Sequence, residues 1–305
     1  MTAIVFPGQG SQYLNMSMDF NETFEVARST FQEIEDSSKI KIRKIITENQ
    51  SDSLNQTNFT QISIFAASMA IYKTLLKEVG INVIDPKVVL GHSLGEYSAL
   101  VANNTLTIAD ASFLIKVRSE LMHSAIEPNT SGMAAIIGKN ASSIEEIIKK
   151  NNLKVVIAND NSPIQVVISG LIENINSSEK IFSSNGIKRF LKLNVSAAFH
   201  SEFMNNAQNR LIDEIDKITF NKTSIPIISN YNALINSDLK TIKYSLKNQM
   251  ANKVKWTESI RKLEETDIIS IIEIGPSKVL SGLISRISKQ FTIKSIDKII
   301  DLEKF

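Results

Sequence analysis

Residues 88–102 read VVLGHSLGEYSALVA: an apolar run, a serine bracketed by Gly91 and Gly95, and a second apolar run. The chain has only 11 glycines, so two of them flanking one serine ask for a reason. A strand, a tight G-x-S-x-G turn and a helix make up the nucleophile-elbow pattern. Side chains at the two glycines would collide with neighbouring backbone, and the strained turn leaves the Ser93 hydroxyl exposed at the strand's C-terminal edge. The helix that follows points its N-terminal N–H groups to the same place, where an oxyanion would develop. Ser93 is the candidate nucleophile.

A serine needs a base, and the chain offers three histidines. His92 is adjacent to Ser93 in the turn, so its side chain should point away from the hydroxyl into a core or hydrogen-bonding role. His123 shares the polar face of a helix with Lys116 and Glu120 and is expected to be solvated. That leaves His200, in VSAAFHSEFM. A neutral imidazole with a pKa of about 6.5 could take the serine proton and return it to a leaving thiol. On the His123 helix, Ala111, Ile115, Arg118 and Met122 follow the 3.6 period on the opposite face. Arg118 thus points into an apolar region, where an unpaired guanidinium is costly. It serves either a buried ion pair or a substrate carboxylate gripped bidentately.

The elements that must position these groups alternate. AIVF is a short buried strand closed by Pro7 and Gly8, residues 59–79 read as a long buried helix stopped by Gly80, and KVVL (87–90) is a strand before the helix opened by EYSALVA. Such alternation predicts a mainly parallel sheet covered on both faces, a hydrolase-like α/β core. From about residue 132 the rhythm shortens: GMAAIIG, SSIEEIIKK, KVVIAND, QVVISG, ENINSSEKIFSSNG and KRFLKLNV give β-α-β-β-α-β, an inserted ferredoxin-like α+β subdomain. The expected division is a large catalytic domain of residues 1–125 and 195–305 and a small subdomain of residues 126–194. A strand-like run SIPIISN (224–230), a helical region ending near Trp256 and DIISIIEIGPSKVLSGLISRI complete the large unit.

Nine segments in register resemble the malonyl-CoA:acyl carrier protein transacylases of fatty-acid synthesis and the related acyltransferase domains of polyketide synthases. They are FPGQGSQ (6–12), TQISIFAAS (60–68), GHSLGEYSAL (91–100), KVRSELM (116–122), ANDNSPIQVVISG (158–170), VSAAFHS (195–201), ISNYNA (228–233), Gln249 with VKW (254–256), and EIGPSKVLSGL (273–283). The resemblance implies Ser93 as the acylated nucleophile, His200 as its base, and the backbone N–H groups of Gln9 and Leu94 as the oxyanion hole. It implies Arg118 as the binder of the malonyl carboxylate, among substrate-site residues that include Gln249, Asn161, Gln61 and Phe199. Gln249 would also orient His200 through its main-chain carbonyl, in place of the acid of a usual triad. Phe199 is similar to the aromatic residue that narrows the pocket of malonyl-selective members against a 2-methyl branch, a partial preference of about 1–3 kcal/mol. The sequence departs from the family pattern at Ser119, His123, Lys253 and Ser277, none of which removes a chemical group with a role.

The resemblance further implies malonyl-CoA as substrate, an acyl carrier protein bearing phosphopantetheine as acceptor and partner, and no metal or other cofactor. Carrier proteins are generally acidic, and Lys188 with Arg189, Lys253 with Lys255, or Arg261 with Lys262 could dock one. Competing readings are a trans-acting polyketide acyltransferase, a serine thioesterase or hydrolase using Asp110 or Asp160 as the triad acid, and a catalytically silent scaffold.

Composition sets outer bounds. With 305 residues, 43% hydrophobic and 22% charged, the chain has the profile of an ordinary globular protein with a substantial core. A net charge of +2 is too small to imply nucleic-acid binding. The absence of cysteine removes disulfides and thiolate chemistry. MTAIVFPGQGSQ lacks the basic start of a signal peptide, and no later apolar run is expected to reach the roughly 18 residues of a membrane span. A cytoplasmic monomer is the expected state.

Overall fold

Every side chain of the first strand from Ala3 to Phe6 is buried. Ile4 and Phe6 join one apolar cluster and Ala3 and Val5 another. Burial on both faces is the mark of a central parallel strand. The computed structural model of the chain describes residues 1–223 and 225–305. Its strands are β1 (Thr2–Phe6), β2 (Pro86–Gly91), β3 (Ser131–Ile137), β4 (Val155–Ser162), β5 (Gln165–Leu171), β6 (Arg189–Lys192), β7 (Ile227–Ile228), β8 (Ile235–Asn236), β9 (Ser270–Ile274) and β10 (Thr292–Ile296).

The large sheet has the order β10-β9-β1-β2-β7-β8, parallel except for the short β7–β8 pair. Helices cover both faces. On one, helix Thr57–Glu78 packs with helices Glu25–Ser38 and Ile108–His123. On the other, Trp256, Ile260 and Leu263 from helix Trp256–Glu264 and Leu280, Leu283 and Ile284 from helix Val279–Ile287 meet Ala3, Val5, Val88 and Leu90. Each fully buried aliphatic or aromatic side chain contributes about 1.5–3 kcal/mol.

Helix Thr57–Glu78 corrects one expectation. By length and composition it is apolar enough to cross a membrane, yet 83% of its apolar window is buried inside the protein. Its hydrophobicity all round is that of a helix enclosed by neighbours.

The inserted segment forms the expected antiparallel sheet, in the order β4-β5-β3-β6. One face (Ala134, Ile136, Val155, Val166, Ile168) packs on Ile144, Ile147, Ile175 and Phe182 of its two helices. The other turns Met133, Ala135 and Val167 towards the large unit, where they roof a cavity. Two strands are shorter than the sequence suggests. KRFLKLNV is a strand only over Arg189–Lys192. Of SIPIISN, where Ser224 lies outside the described residues, only Ile227–Ile228 is strand, because the chain leaves the sheet so that Asn230 can reach back to Gly91.

Candidate active site

The turn after β2 depends on two close approaches. A Cβ on Gly91 would lie 1.9 Å from the carbonyl carbon of Gly95, and one on Gly95 would lie 2.0 Å from the carbonyl oxygen of Phe6. Helix Gly95–Ala102 can therefore start against the ends of β1 and β2 only if both residues lack side chains. Between them Ser93 takes a left-handed φ of 51°, a strained conformation for a non-glycine residue. Asn230 holds it there: Ser93 N–H donates to Asn230 Oδ1 at 2.6 Å, and Asn230 Nδ2 donates to Gly91 O at 2.6 Å.

Ser93 Oγ lies 2.8 Å from His200 Nε2. The other ring nitrogen, Nδ1, faces the main-chain oxygens of Gln249 at 3.1 Å and Asn252 at 3.2 Å. These acceptors fix the tautomer with Nδ1 protonated, leaving Nε2 as the acceptor for the serine proton. Burial, then the nearby Arg118 charge, pushes the His200 pKa down to about 3, so the imidazole is neutral throughout the physiological range. Asp110 bonds Thr107 at the start of its own helix and Asp160 bonds Thr257; neither aspartate meets His200.

Arg118 is 1% exposed, and its partners are neutral acceptors in place of the carboxylate of a buried ion pair. Nη1 donates to Gln61 Oε1 at 2.5 Å, and Nη2 donates to Ser93 Oγ at 3.0 Å and to Gln249 Oε1 at 3.1 Å. It forms no direct ion pair among the described residues, and its buried Nε has no hydrogen-bond partner. The guanidinium also lies over the Tyr97 ring, 5.6 Å from its centroid, a cation–π contact. Burial works against its charge, opposed by Tyr97 and Glu96.

Glu96, a residue with no role in the sequence reading, is 1% exposed. Its Oε2 accepts from Gln249 Nε2 at 2.8 Å and from Asn230 N–H at 3.1 Å. Gln249 Nε2 also donates to Ser93 O at 2.8 Å. An acceptor-only carboxylate demands the amide nitrogen, so Gln249 must turn its oxygen to Arg118. Burial pushes the Glu96 pKa up, and these hydrogen bonds with the Arg118 charge oppose that. A single acid in an apolar helix gave no periodic signal of its role; its neighbour in the GHSLGEYSAL segment was the available clue.

The remaining candidates divide. A cavity of about 270 Å³ is lined by Gln9, Gln61, Ser93, Leu94, Arg118, Asn161, Phe199 and His200, among others. Gln249 does not line it and stands behind Arg118 and Ser93, which corrects its assignment to the substrate wall. The N–H groups of Gln9 and Leu94 donate to no acceptor among the described residues. Asn161 Oδ1 lies 2.8 Å from Nε2 of His92. His92 packs edge-on against Trp256, turned away from the hydroxyl, and burial lowers its pKa. His123 is exposed.

These groups make a hydroxyl with a neutral base on one side, a guanidinium on the other and free N–H donors beside it, a set suited to acyl transfer. Comparison with known proteins agrees. The model of the family described as acyl transferase domain matches residues 3–299. The malonyl CoA-acyl carrier protein transacylase of Bacillus subtilis (strain 168) is 36% identical over 292 residues, 94% of this chain and 90% of that protein. The polyketide biosynthesis malonyl CoA-acyl carrier protein transacylase PksC of the same organism is 37% identical over 95% of this chain and 98% of that one. One chain in the solved structure of a type II PKS acyl-carrier protein in complex with its malonyl-transacylase superposes with a TM-score of 0.94, at 33% identity, over 99% of this chain and 98% of that chain. The chain belongs to the acyl transferase domain family and is an acyltransferase.

Proposed function

We propose that this protein is a malonyl-CoA:acyl carrier protein S-malonyltransferase that works by ping-pong through a malonyl ester on Ser93. In the first half, Ser93 Oγ attacks the thioester carbonyl as His200 Nε2 takes its proton. The oxyanion is met by the N–H groups of Gln9 and Leu94, the C–S bond breaks, and His200 returns the proton to the departing CoA sulfur. In the second half the phosphopantetheine thiol of the carrier protein gives its proton to His200 and attacks the ester carbonyl, and Ser93 leaves with that proton. The reaction balances with no resident metal or cofactor.

The observation that carries the malonyl assignment is Arg118: a buried guanidinium beside the nucleophile, with neutral acceptors and no direct ion pair among the described residues. A malonyl carboxylate would supply the missing anion. Asn161, Gln61 and Phe199 shape the rest of the acyl site, with Phe199 crowding a 2-methyl branch. The acidic acceptor is drawn to Lys188 and Arg189. Both are exposed and make no ion pair among the described residues, whereas Lys253, Lys255 and Lys262 pair with Glu145, Glu258 and Glu265.

The reading includes a cytoplasmic monomer serving fatty-acid synthesis. Its test is to incubate the enzyme with malonyl-CoA, remove the CoA, and add holo-carrier protein or buffer alone. Fast discharge with carrier protein and a long-lived ester without it are expected; equal discharge in both would make the protein a hydrolase. Rescue of a strain lacking its own fatty-acid transacylase assigns the pathway.

A further inference from the structure

His200 has a left-handed φ of 55°. A non-glycine residue keeps such a conformation only where its surroundings over-determine it. Those surroundings belong to the small antiparallel sheet. Ser169 on β5, fully buried, donates its hydroxyl to the Phe199 carbonyl at 2.6 Å. Ser131 at the start of β3, 2% exposed, accepts from the Ala198 N–H at 3.0 Å. The two residues before the imidazole are thus each pinned to the insertion by one serine.

The acceptors of His200 Nδ1 are tied to the same sheet. The loop that supplies the carbonyls of Gln249 and Asn252 runs on to Val254. Val254 N–H donates to Ala158 O at 2.8 Å, and Val254 O accepts from Asp160 N–H at 3.0 Å. Val254 thus lies alongside β4, in a one-residue parallel bridge with Asn159. The nucleophile, by contrast, is carried by β2 and the helix behind it in the large unit. The base is therefore held by contacts to the small sheet and the nucleophile by the end of β2 in the large one, and their 2.8 Å contact spans the junction.

We propose that Ser131 and Ser169 are positioning residues that, by pinning residues 198 and 199 to the small sheet, hold the general base in register with the nucleophile at the end of β2. The inference rests on the Ser93–His200 pairing of the proposed mechanism. Removing the Ser169 hydroxyl leaves the buried Phe199 carbonyl without its donor and frees the 198–200 backbone to relax from its left-handed turn, moving Nε2 off Oγ. A displacement of about 1 Å costs up to about a hundredfold in rate.

The test is the rate at which a fluorophosphonate labels Ser93 in S169A, S131A and wild type, together with kcat and KM for malonyl-CoA and a thermal melt of each protein. Labelling and kcat are expected to fall together by about tenfold or more in proteins that remain folded at the assay temperature, with KM changing much less because Arg118, the proposed carboxylate binder, stays in place. S169T, which keeps a hydroxyl, is expected to recover much of the rate. Labelling at the wild-type rate in folded S169A and S131A would overturn the inference, as would a rise in KM with kcat unchanged. If S169A does not fold, S131A decides alone, since it removes a different bond. Wild-type protein that resists the reagent would instead overturn the Ser93–His200 pairing itself.

Discussion

Arg118 Nη2 and His200 Nε2 converge on one atom, the Ser93 hydroxyl oxygen, at 3.0 and 2.8 Å. The cation that would recognise the far end of the substrate thus also touches the attacking oxygen before substrate binds. A guanidinium there stabilises negative charge on Oγ as its proton leaves and disfavours a proton on the imidazole beside it.

Replacing Arg118 by Ala is expected to depress malonyl transfer far more than acetyl transfer. A bare buried cation would make the gap very large, but Gln61, Gln249 and Ser93 already accept from this one, so malonyl must exceed them and not merely fill a void. The added value of a charged acceptor, about 1.5–3 kcal/mol, corresponds to a malonyl-specific loss of about ten- to a hundredfold in kcat/KM. Paired assays with malonyl-CoA and acetyl-CoA measure it, and equal losses would remove the carboxylate role.

The His200 pKa of about 3 places the acid limb of serine reactivity far below an ordinary histidine's. Fluorophosphonate labelling should stay flat from neutral pH to about pH 5, and in R118A the limb should move up, since one cause of the depression is gone. Half-maximal labelling near pH 6.5 would contradict this. Stability follows with a definite sign. The folded pKa lies below the unfolded one, so the unfolded chain binds more protons between them. The contribution is present in full above about pH 6.5 and is lost as pH falls towards 3. A variant lacking this imidazole should lose less stability on acidification.

The glycines differ sharply in tolerance. G91A and G95A drive a methyl group to about 2 Å from backbone and should each cost about 3 kcal/mol or more, read as a large drop in melting temperature or in folded yield. Gly282 is exposed in helix Val279–Ile287 with nothing within 4 Å of an added Cβ. There G282A should gain about 0.5–1 kcal/mol. Similar effects at the three positions would show that close packing is not what the elbow glycines provide.

Carrier-protein docking through Lys188 and Arg189 predicts a salt-sensitive KM for the carrier protein and a salt-insensitive one for malonyl-CoA, since exposed charges are screened within about 10 Å at 0.1 M salt. Charge reversal at both positions should raise the first KM and leave the second unchanged. A carrier-protein KM indifferent to both salt and reversal would place docking elsewhere.

Ser93, His200 and Arg118 were legible in the sequence because each is singular: a serine between two scarce glycines, the one histidine of three left without a structural place, an arginine on an apolar helical face. The alternation of strands and helices, and the insertion, were legible from period alone. Glu96, Asn230, Ser131 and Ser169 were not, because their partners lie far along the chain and a buried serine or asparagine has no periodic signature. The short β7 was overestimated because the isoleucines around it read as strand, while the pull of Asn230 towards Gly91 is a tertiary effect. Gln61 and Gln249 were named through the resemblance, but their bonds to Arg118 were not legible, for the same reason.

The most direct measurement is peptide mapping by mass spectrometry after incubation with malonyl-CoA alone. The expected result is one malonyl group on the peptide that contains Ser93, absent in S93A and lost on adding holo-carrier protein. An intact enzyme that transfers malonyl with no adduct, or with the adduct on another residue, would contradict the account.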